Sequence, residues 1–383
     1  MKMFDFFSTK SISFGYGALG KLGGIAKELR CKKALLVTDK FLVGNGAVSM
    51  VEKPLLEANI GVAIYDGATP SPTQSNAEEC YDFLIKEECD FVIGLGGGSP
   101  MDVAKAAALL VNNPKPVSQY VGVELVPNPA IPIVAIPTTA GTGSESSNAS
   151  ILKNEVTHIK GGIMSHQICP TYAIVDPELT LTLPPRLTAS TGLDALTHAI
   201  EGYVAKKASP ITELYQAEAI RLIAQNLRIA VSNGQDRRAR YNMSLAALLA
   251  GIGMATASCG AVHALAYPME GKYRVAHGDA NAALLAAVMK FNIVGNIDKF
   301  AEIAVFMGEN VNGLSKREAA FKAADAVATL CKDINVPSLS QIGVMEEDLK
   351  DFADSALPLK RLMDNNPRTV TKADAMRLYK ECF

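Results

Sequence analysis

The alternation of strand-like and helix-like segments stops near residue 184, and this break constrains the fold more than any other feature of the chain. Before it, residues 33–38, 61–65, 90–95, 131–136 and 172–175 form short, almost continuously apolar runs. Runs of that length and character are expected of strands buried on both faces, hence of a parallel sheet. Helix-like stretches at 51–58, 75–88 and 101–111 lie between them, and strand and helix in turn predict an α/β domain built from crossover connections. Beyond the pair Pro184 and Pro185 strand-like runs all but vanish, while 210–232, 237–258, 281–292 and 316–332 have helical composition and period. The chain therefore reads as an α/β domain with a parallel sheet, residues 1–183, followed by an all-helical domain, residues 184–383.

Composition agrees with two cores. At 383 residues the chain is long enough for two domains of about 150 residues or more. Hydrophobic residues are 49% and charged residues 20%, so each half can bury a full core. The formal net charge of −2 gives no electrostatic reason to expect a nucleic-acid or anionic-membrane partner. Even the apolar stretch 243–257 is interrupted by glycines and polar residues, so no bilayer-spanning segment is expected. The N-terminus turns acidic too soon for a signal peptide. The seven cysteines include no Cys-x-x-Cys pair and read as reduced thiols of a cytoplasmic protein.

Two glycine-containing loops follow expected strands. The run 90–95 leads into Gly96, Gly97, Gly98, Ser99 and Pro100, then into a helix carrying Asp102 in its first turn. Glycines let the backbone turn tightly and approach a ligand, Ser99 suits an N-cap and Pro100 the first helical position. The free amides of such a helix start would hold a pyrophosphate, although a plain strand–helix turn uses the same residues. The run 131–136 leads into Thr138, Thr139, Thr142 and Ser144, which offer hydroxyls at the same sheet edge. Ligands of open α/β sheets bind outside the carboxyl ends of the strands. Asp39, after the run 33–38, could accept hydrogen bonds from a ribose and would favour NAD over NADP, or it could simply end a strand. Because Asp39 precedes the glycines instead of following them, the sheet should have a strand order other than that of the usual dinucleotide fingerprint.

The helical half carries a candidate metal site. Asp194 and His198 lie four residues apart with no helix breaker between them, so one helical face presents both. His263 and His277 follow, and these residues account for three of the five histidines in the chain. One carboxylate and three imidazoles suit a divalent transition metal acting as a Lewis acid, whereas each pair alone is commonly a cap or a surface hydrogen bond.

The motifs together resemble those of the group III, iron-dependent alcohol dehydrogenases: residues 96–100, 138–145, 192–201 and the His263…His277 segment occur in that family's order over nearly the whole length. The resemblance implies a dinucleotide-binding domain, a helical domain and catalysis in the cleft between them. It implies that Asp194, His198, His263 and His277 hold Fe²⁺, with Zn²⁺ or another divalent ion possible. It assigns Gly97, Gly98, Ser99 and Asp102 to the NAD(H) pyrophosphate, Thr138, Thr139, Thr142 and Ser144 to the adenosine and nicotinamide side, and Asp39 to the adenine ribose. Lys160 would also reach the cofactor. The four-donor pattern argues against the related zinc-binding glycerol dehydrogenases. At least a homodimer is implied, with small alcohols or aldehydes as partners.

Three departures from the family pattern bear on the substrate and the proton. Tyr267 stands where many relatives carry a histidine suggested to shuttle a proton; with an ordinary pKa near 10 it either relays a proton through water or packs the pocket. Ala149, after Asn148, and Met254 replace aromatic residues, which predicts a wider pocket. Lys272 and Arg274 precede His277, where an anionic tail could reach. The expected activity is reduction of a short polar or anionic aldehyde, for example sulfoacetaldehyde or a semialdehyde, with His263, Tyr267 and His277 at the reacting centre. The alternatives are neutral short alcohols and diols of the lactaldehyde or 1,3-propanediol type, a dehydroquinate-synthase-like lyase, and a sensor that has lost turnover.

Overall fold

The structure, a computed structural model, describes residues 3–156, 160–273 and 275–383. The chain divides into two compact units, one running from Phe7 to Leu181 and one from Thr182 to Phe383 that also takes in the N-terminal residues up to Phe6.

Among its described residues the first unit holds nine strands: β1 Ser11–Phe14, β2 Lys33–Val37, β3 Gly61–Tyr65, β4 Phe91–Gly96, β5 Gly122–Val123, β6 Ile133–Pro137, β7 Ala149–Lys153, β8 Lys160–Met164 and β9 Tyr172–Val175. Six of them form one sheet in the order β1-β9-β6-β4-β2-β3, with every pairing parallel. Successive residues of a strand point to opposite faces. Leu36 and Ile93 accordingly pack into one core with Leu22, Val51 and Leu55, while Leu35, Val37 and Val92 pack into another with Leu84, Val103 and Ala107. Both faces are covered, which is why these strands read as unbroken apolar runs.

From β2 the chain steps outward to β3, then returns to place β4 and β6 on the other side of β2. The reversal between β2 and β4 is a topological switch point, where the loops at the strands' carboxyl ends part and leave a crevice. Asp39 follows β2, Gly97 follows β4 and Thr138 follows β6, so three adjacent strands deliver all three expected cofactor segments to one edge. The sequence reading missed β1 and the small sheet β5-β8-β7. β1 is only partly buried and β7 and β8 carry Lys153, Lys160, Gly161 and Gly162, so none of them shows an apolar run.

The second unit is helical among its described residues. Its long helices are Pro185–Val204, Pro210–Ser232, Arg237–Ala257, Ala261–Tyr273, His277–Asn292 and Lys316–Asp333. The first three pack on one another, and the His277 helix packs on both the Pro185 and the Ala261 helices. Start signals are explicit: Ser209 and Thr212 form a capping box with Pro210 in the first turn, and Asp236 accepts from the amide of Ala239. Among the described residues no single helix is long and apolar enough to cross a membrane; Arg237–Ala257 with Ala261–Tyr273 has the length and composition only as a pair bent by 102°.

Candidate metal centre and cofactor loops

Asp194, His198, His263 and His277 come together, each offering one donor atom, with all of these atoms within 4.8 Å of one another. The Pro185–Val204 helix supplies Asp194 and His198, one turn apart on its buried face. His263 lies in the first turn of the Ala261–Tyr273 helix and His277 opens the next one. Side-chain exposure is 4% for Asp194, 6% for His198 and 3% for His263, but 33% for His277, so the cluster is open on the His277 side.

Carboxylates behind the histidines set their tautomers. Glu201 lies 2.6 Å from His263 Nδ1, and Glu270 lies 2.6 Å from His277 Nδ1. A proton held on each Nδ1 leaves the Nε2 lone pair free to face inward. Asn281 shows that it does: its Nδ2 lies 2.9 Å from Asp194 Oδ1, 3.3 Å from His263 Nε2 and 3.2 Å from His277 Nε2. One amide group thus meets three acceptors aimed at a single point, the arrangement a cation would use, while its own Oδ1 is buried without a hydrogen-bond partner among the described residues. Burial, with His198 and His277 alongside, keeps the His263 pKa well below its usual value, so the imidazole is neutral and able to bind metal. Nitrogen and carboxylate donors, neutral imidazoles and second-layer carboxylates together fit a divalent transition metal.

Glu201 has a further task. It also accepts from the backbone amides of Gly260 at 2.9 Å and Val262 at 2.6 Å, fixing the turn that delivers His263. Burial pushes its carboxyl up to about 7. Cys259 groups with Glu201 and His263, but burial raises its thiol far above the ordinary range and keeps it protonated, so this second trio is a poor metal site. Replacing Glu201 with glutamine should leave the fold intact and weaken metal retention about 10–100-fold. Titrating bound metal against a competing chelator checks this, and unchanged affinity would remove Glu201 from the site.

None of the residues behind the donors was expected from the sequence, although helical spacing marks them. Glu201 lies three residues after His198, Glu270 seven after His263 and Asn281 four after His277, all on the donors' own helix faces. Tyr267 sits among them, its ring centroid 6.5 Å from that of His263 and 5.9 Å from that of His277. Desolvation raises the pKa of its hydroxyl, which suits a hydrogen-bond donor better than a neutral-pH acid–base. Lys272 is paired with Asp348 at 2.5 Å, and Arg274 lies outside the described residues. Met254 is partly exposed in the Arg237–Ala257 helix, while Asn148 and Ala149 belong to the first unit, at the start of β7.

In the first unit the helix Gly98–Leu110 starts one residue after the N-cap Gly97, so Ser99 is inside the helix and is not its cap. The reason is Gly96: at φ 147° it makes the turn early, in a conformation that side chains disfavour. Pro100 then falls in the first turn, where no intrahelical amide is needed. A Cβ on Gly97 would sit 3.5 Å from Thr139 Oγ1, and one on Gly98 would sit 3.3 Å from Thr142 Cγ2, so the two loops face each other closely. Thr139 Oγ1 and, after β2, Thr38 Oγ1 are buried without hydrogen-bond partners among the described residues. Orphaned hydroxyls beside a bare helix N-terminus fit a bound pyrophosphate and ribose. Asp39 caps the helix Lys40–Gly44 by accepting from the amide of Leu42, and Lys160 opens β8.

The loop after Thr138 is held from beneath by Lys105, a residue sequence reasoning passed over. The fully buried ammonium donates to Ser144 O at 2.6 Å, Ser144 Oγ at 2.9 Å, Ser147 O at 3.0 Å and Ala149 O at 2.9 Å. Ser144 Oγ in turn donates to Asp102 Oδ1 at 3.0 Å, and Asp102 Oδ2 accepts from the amide of Ile151. Burial pulls the Lys105 pKa down, and Asp102, Cys169 and Glu145 counter it. Glu145 itself is pushed up to about 7 by burial.

Comparison with known proteins agrees with this geometry. Residues 9–177 match the model of the iron-containing alcohol dehydrogenases, and residues 188–383 match that of the C-terminal part of the same family. The chain belongs to the iron-containing alcohol dehydrogenase family. It is 42% identical to the 1,3-propanediol dehydrogenase of Citrobacter freundii, over 100% of this chain and 99% of that one. A solved 1,3-propanediol oxidoreductase is 42% identical and superposes with a TM-score of 0.98 over 100% of both chains. The sulfoacetaldehyde reductase of Bifidobacterium kashiwanohense, solved with NAD⁺, is 31% identical with a TM-score of 0.88 over 100% of this chain and 99% of that one. The relatives are named as alcohol dehydrogenases and aldehyde reductases, and this chain is an oxidoreductase of that family.

Proposed function

We propose that the chain is an NAD(H)-dependent, divalent-metal-dependent aldehyde reductase, with Fe²⁺ as its metal and a short aldehyde bearing a polar or anionic group as its substrate. The single observation that carries this reading is the convergence of one carboxylate and three imidazoles, two of them with their inner nitrogens freed by Glu201 and Glu270. A cation held there would polarise a carbonyl or stabilise an alkoxide, and the nicotinamide would give or take the hydride.

The protein's own part is to bind and orient. Asp194, His198, His263 and His277 present their donors, while Glu201 and Glu270 hold the Nδ1 protons away from the reacting side. Tyr267, protonated at neutral pH, lines the same space as a hydrogen-bond donor. The glycine turn at 96–98, with Ser99, offers amides to the pyrophosphate; Thr138, Thr139, Thr142 and Ser144 flank it, with Asp39 at the ribose and Lys160 and Asp102 nearby. We assign NAD(H) to residues 1–183 and the metal to residues 184–383. Seven cysteines without a disulfide among them fit a reducing cytoplasm, and a homo-oligomer, at least a dimer, is the expected assembly.

The likeness to 1,3-propanediol dehydrogenases at 42% identity favours a second reading, in which the substrate is a neutral short hydroxyaldehyde or diol. Initial rates of NADH consumption against sulfoacetaldehyde, succinate semialdehyde, lactaldehyde and 3-hydroxypropionaldehyde decide between them. The proposal expects the anionic pair to give the higher kcat/KM. Cofactor binding without net NADH consumption on any carbonyl compound would contradict both readings and point to a synthase-like or non-catalytic role.

A further inference from the structure

Within the aldehyde-reductase reading, on which this step rests, we propose that Arg361 is the residue that recognises the anionic end of the substrate, a carboxylate or sulfonate on a short aldehyde. Arg361 belongs to the short helix Lys360–Met363, which packs on the Ala261–Tyr273 helix that carries His263 and Tyr267. Its Nη1 donates to Ser258 Oγ at 2.8 Å. Ser258 ends the Arg237–Ala257 helix at φ 60°, a left-handed backbone conformation uncommon for residues other than glycine, and begins the turn that leads to His263.

Arg361 is half-buried, and among the described residues no carboxylate lies within ion-pair distance of it. A guanidinium has five N–H donors, and the bond to Ser258 leaves most of them for a ligand. The donor cluster to which that turn leads is accessible at His277, its most exposed donor, with Tyr267 standing 5.9 Å from it. The competing cation, Lys272, is already neutralised by Asp348.

The chemistry selects an oxyanion. A planar guanidinium fixed at one nitrogen matches a carboxylate or sulfonate with its remaining donors. A neutral substrate would leave those partly desolvated donors unmet, so discrimination arises from both sides.

The test compares Arg361→Gln and Arg361→Lys with the wild-type holoenzyme. For succinate semialdehyde and sulfoacetaldehyde, Arg361→Gln is expected to raise KM about 10–100-fold with little change in kcat, while KM for propionaldehyde stays within about threefold. Arg361→Lys, which keeps the charge but not the planar fork, should recover part of the loss. Calorimetric titration of the NADH complex with propionate and with ethanesulfonate should show binding to wild type and at least tenfold weaker binding to Arg361→Gln. A parallel rise in KM for charged and neutral aldehydes would reduce Arg361 to a support for Ser258 and overturn the assignment. If no aldehyde is reduced by wild type, the reductase reading fails; anion binding unchanged in Arg361→Gln overturns the role of Arg361 whatever the turnover.

Discussion

Lys105→Met is expected to lower the stability of the N-terminal unit by about 3–5 kcal/mol, in the range found when one partner of a buried charged network is removed. The methionine fills much of the same volume, so the loss is not one of packing. It is one of hydrogen bonding: the buried oxygens of Ser144 and Ser147 and the part-buried carbonyl of Ala149 lose their donor. Each buried acceptor left unmet costs about 1–3 kcal/mol. Asp102 and Glu145, both raised by burial, lose the cation that offsets it. Denaturant unfolding followed by circular dichroism reads the stability, and NADH fluorescence titration reads the loop: binding should weaken by more than the roughly tenfold that corresponds to 1.4 kcal/mol. A loss below about 1 kcal/mol with unchanged NADH affinity would mean that the loop holds its shape without the lysine.

Gly278→Ala should be nearly as damaging, by another route. A Cβ there would lie 2.0 Å from Ser190 O and 2.6 Å from Ser190 C, both backbone atoms of the helix that carries Asp194 and His198. Neither helix can yield by turning a side chain, so the first turn of the His277 helix must move away and take His277 with it. Displacement of a reacting group by about 1 Å commonly costs on the order of 10²-fold in rate. Turnover should fall by at least that factor, and bound metal, measured by plasma emission after dialysis, should drop well below one per chain. Gly271→Ala is the control: nothing among the described residues lies within 4 Å of its added Cβ, and it sits in the neighbouring helix Ala261–Tyr273. It should keep its metal. Equal behaviour of the two variants would show that the contact at Ser190 does not set the position of His277.

How far the sequence disclosed all this depends on how local each signal is. β2, β4, β6 and β9 were legible because burial on both faces makes a strand apolar throughout, and β3, half-exposed at the sheet edge, because Val62, Ala63, Ile64 and Tyr65 still form an apolar run. β1, β7 and β8 were not, since partly exposed edge or small-sheet strands keep lysines, serines and glycines and look like loops. The helix start at Gly98 was misplaced because Ser99 and Pro100 carry the usual start signals, whereas the positive φ of Gly96 decides where the turn is made. Asp194, His198, His263 and His277 stood out because histidine is scarce, five in the chain. Glu201 and Glu270 did not, being two of 39 acidic residues until the fold puts them behind a histidine. Lys105 reads as an ordinary helical lysine, and only the loop laid over it by tertiary packing makes it a buried clamp. Arg361 carries no local signal at all; its meaning lies in Ser258, about a hundred residues away in sequence.

The most direct measurement is NADH oxidation with a short aldehyde by metal-stripped protein, before and after anaerobic addition of Fe²⁺, for wild type and Asp194→Ala side by side. Turnover that is absent in stripped wild type, returns with Fe²⁺ and fails to return in Asp194→Ala is the predicted result. Equal turnover in the stripped and reloaded protein, or full recovery without Asp194, would contradict a metal centre built from Asp194, His198, His263 and His277.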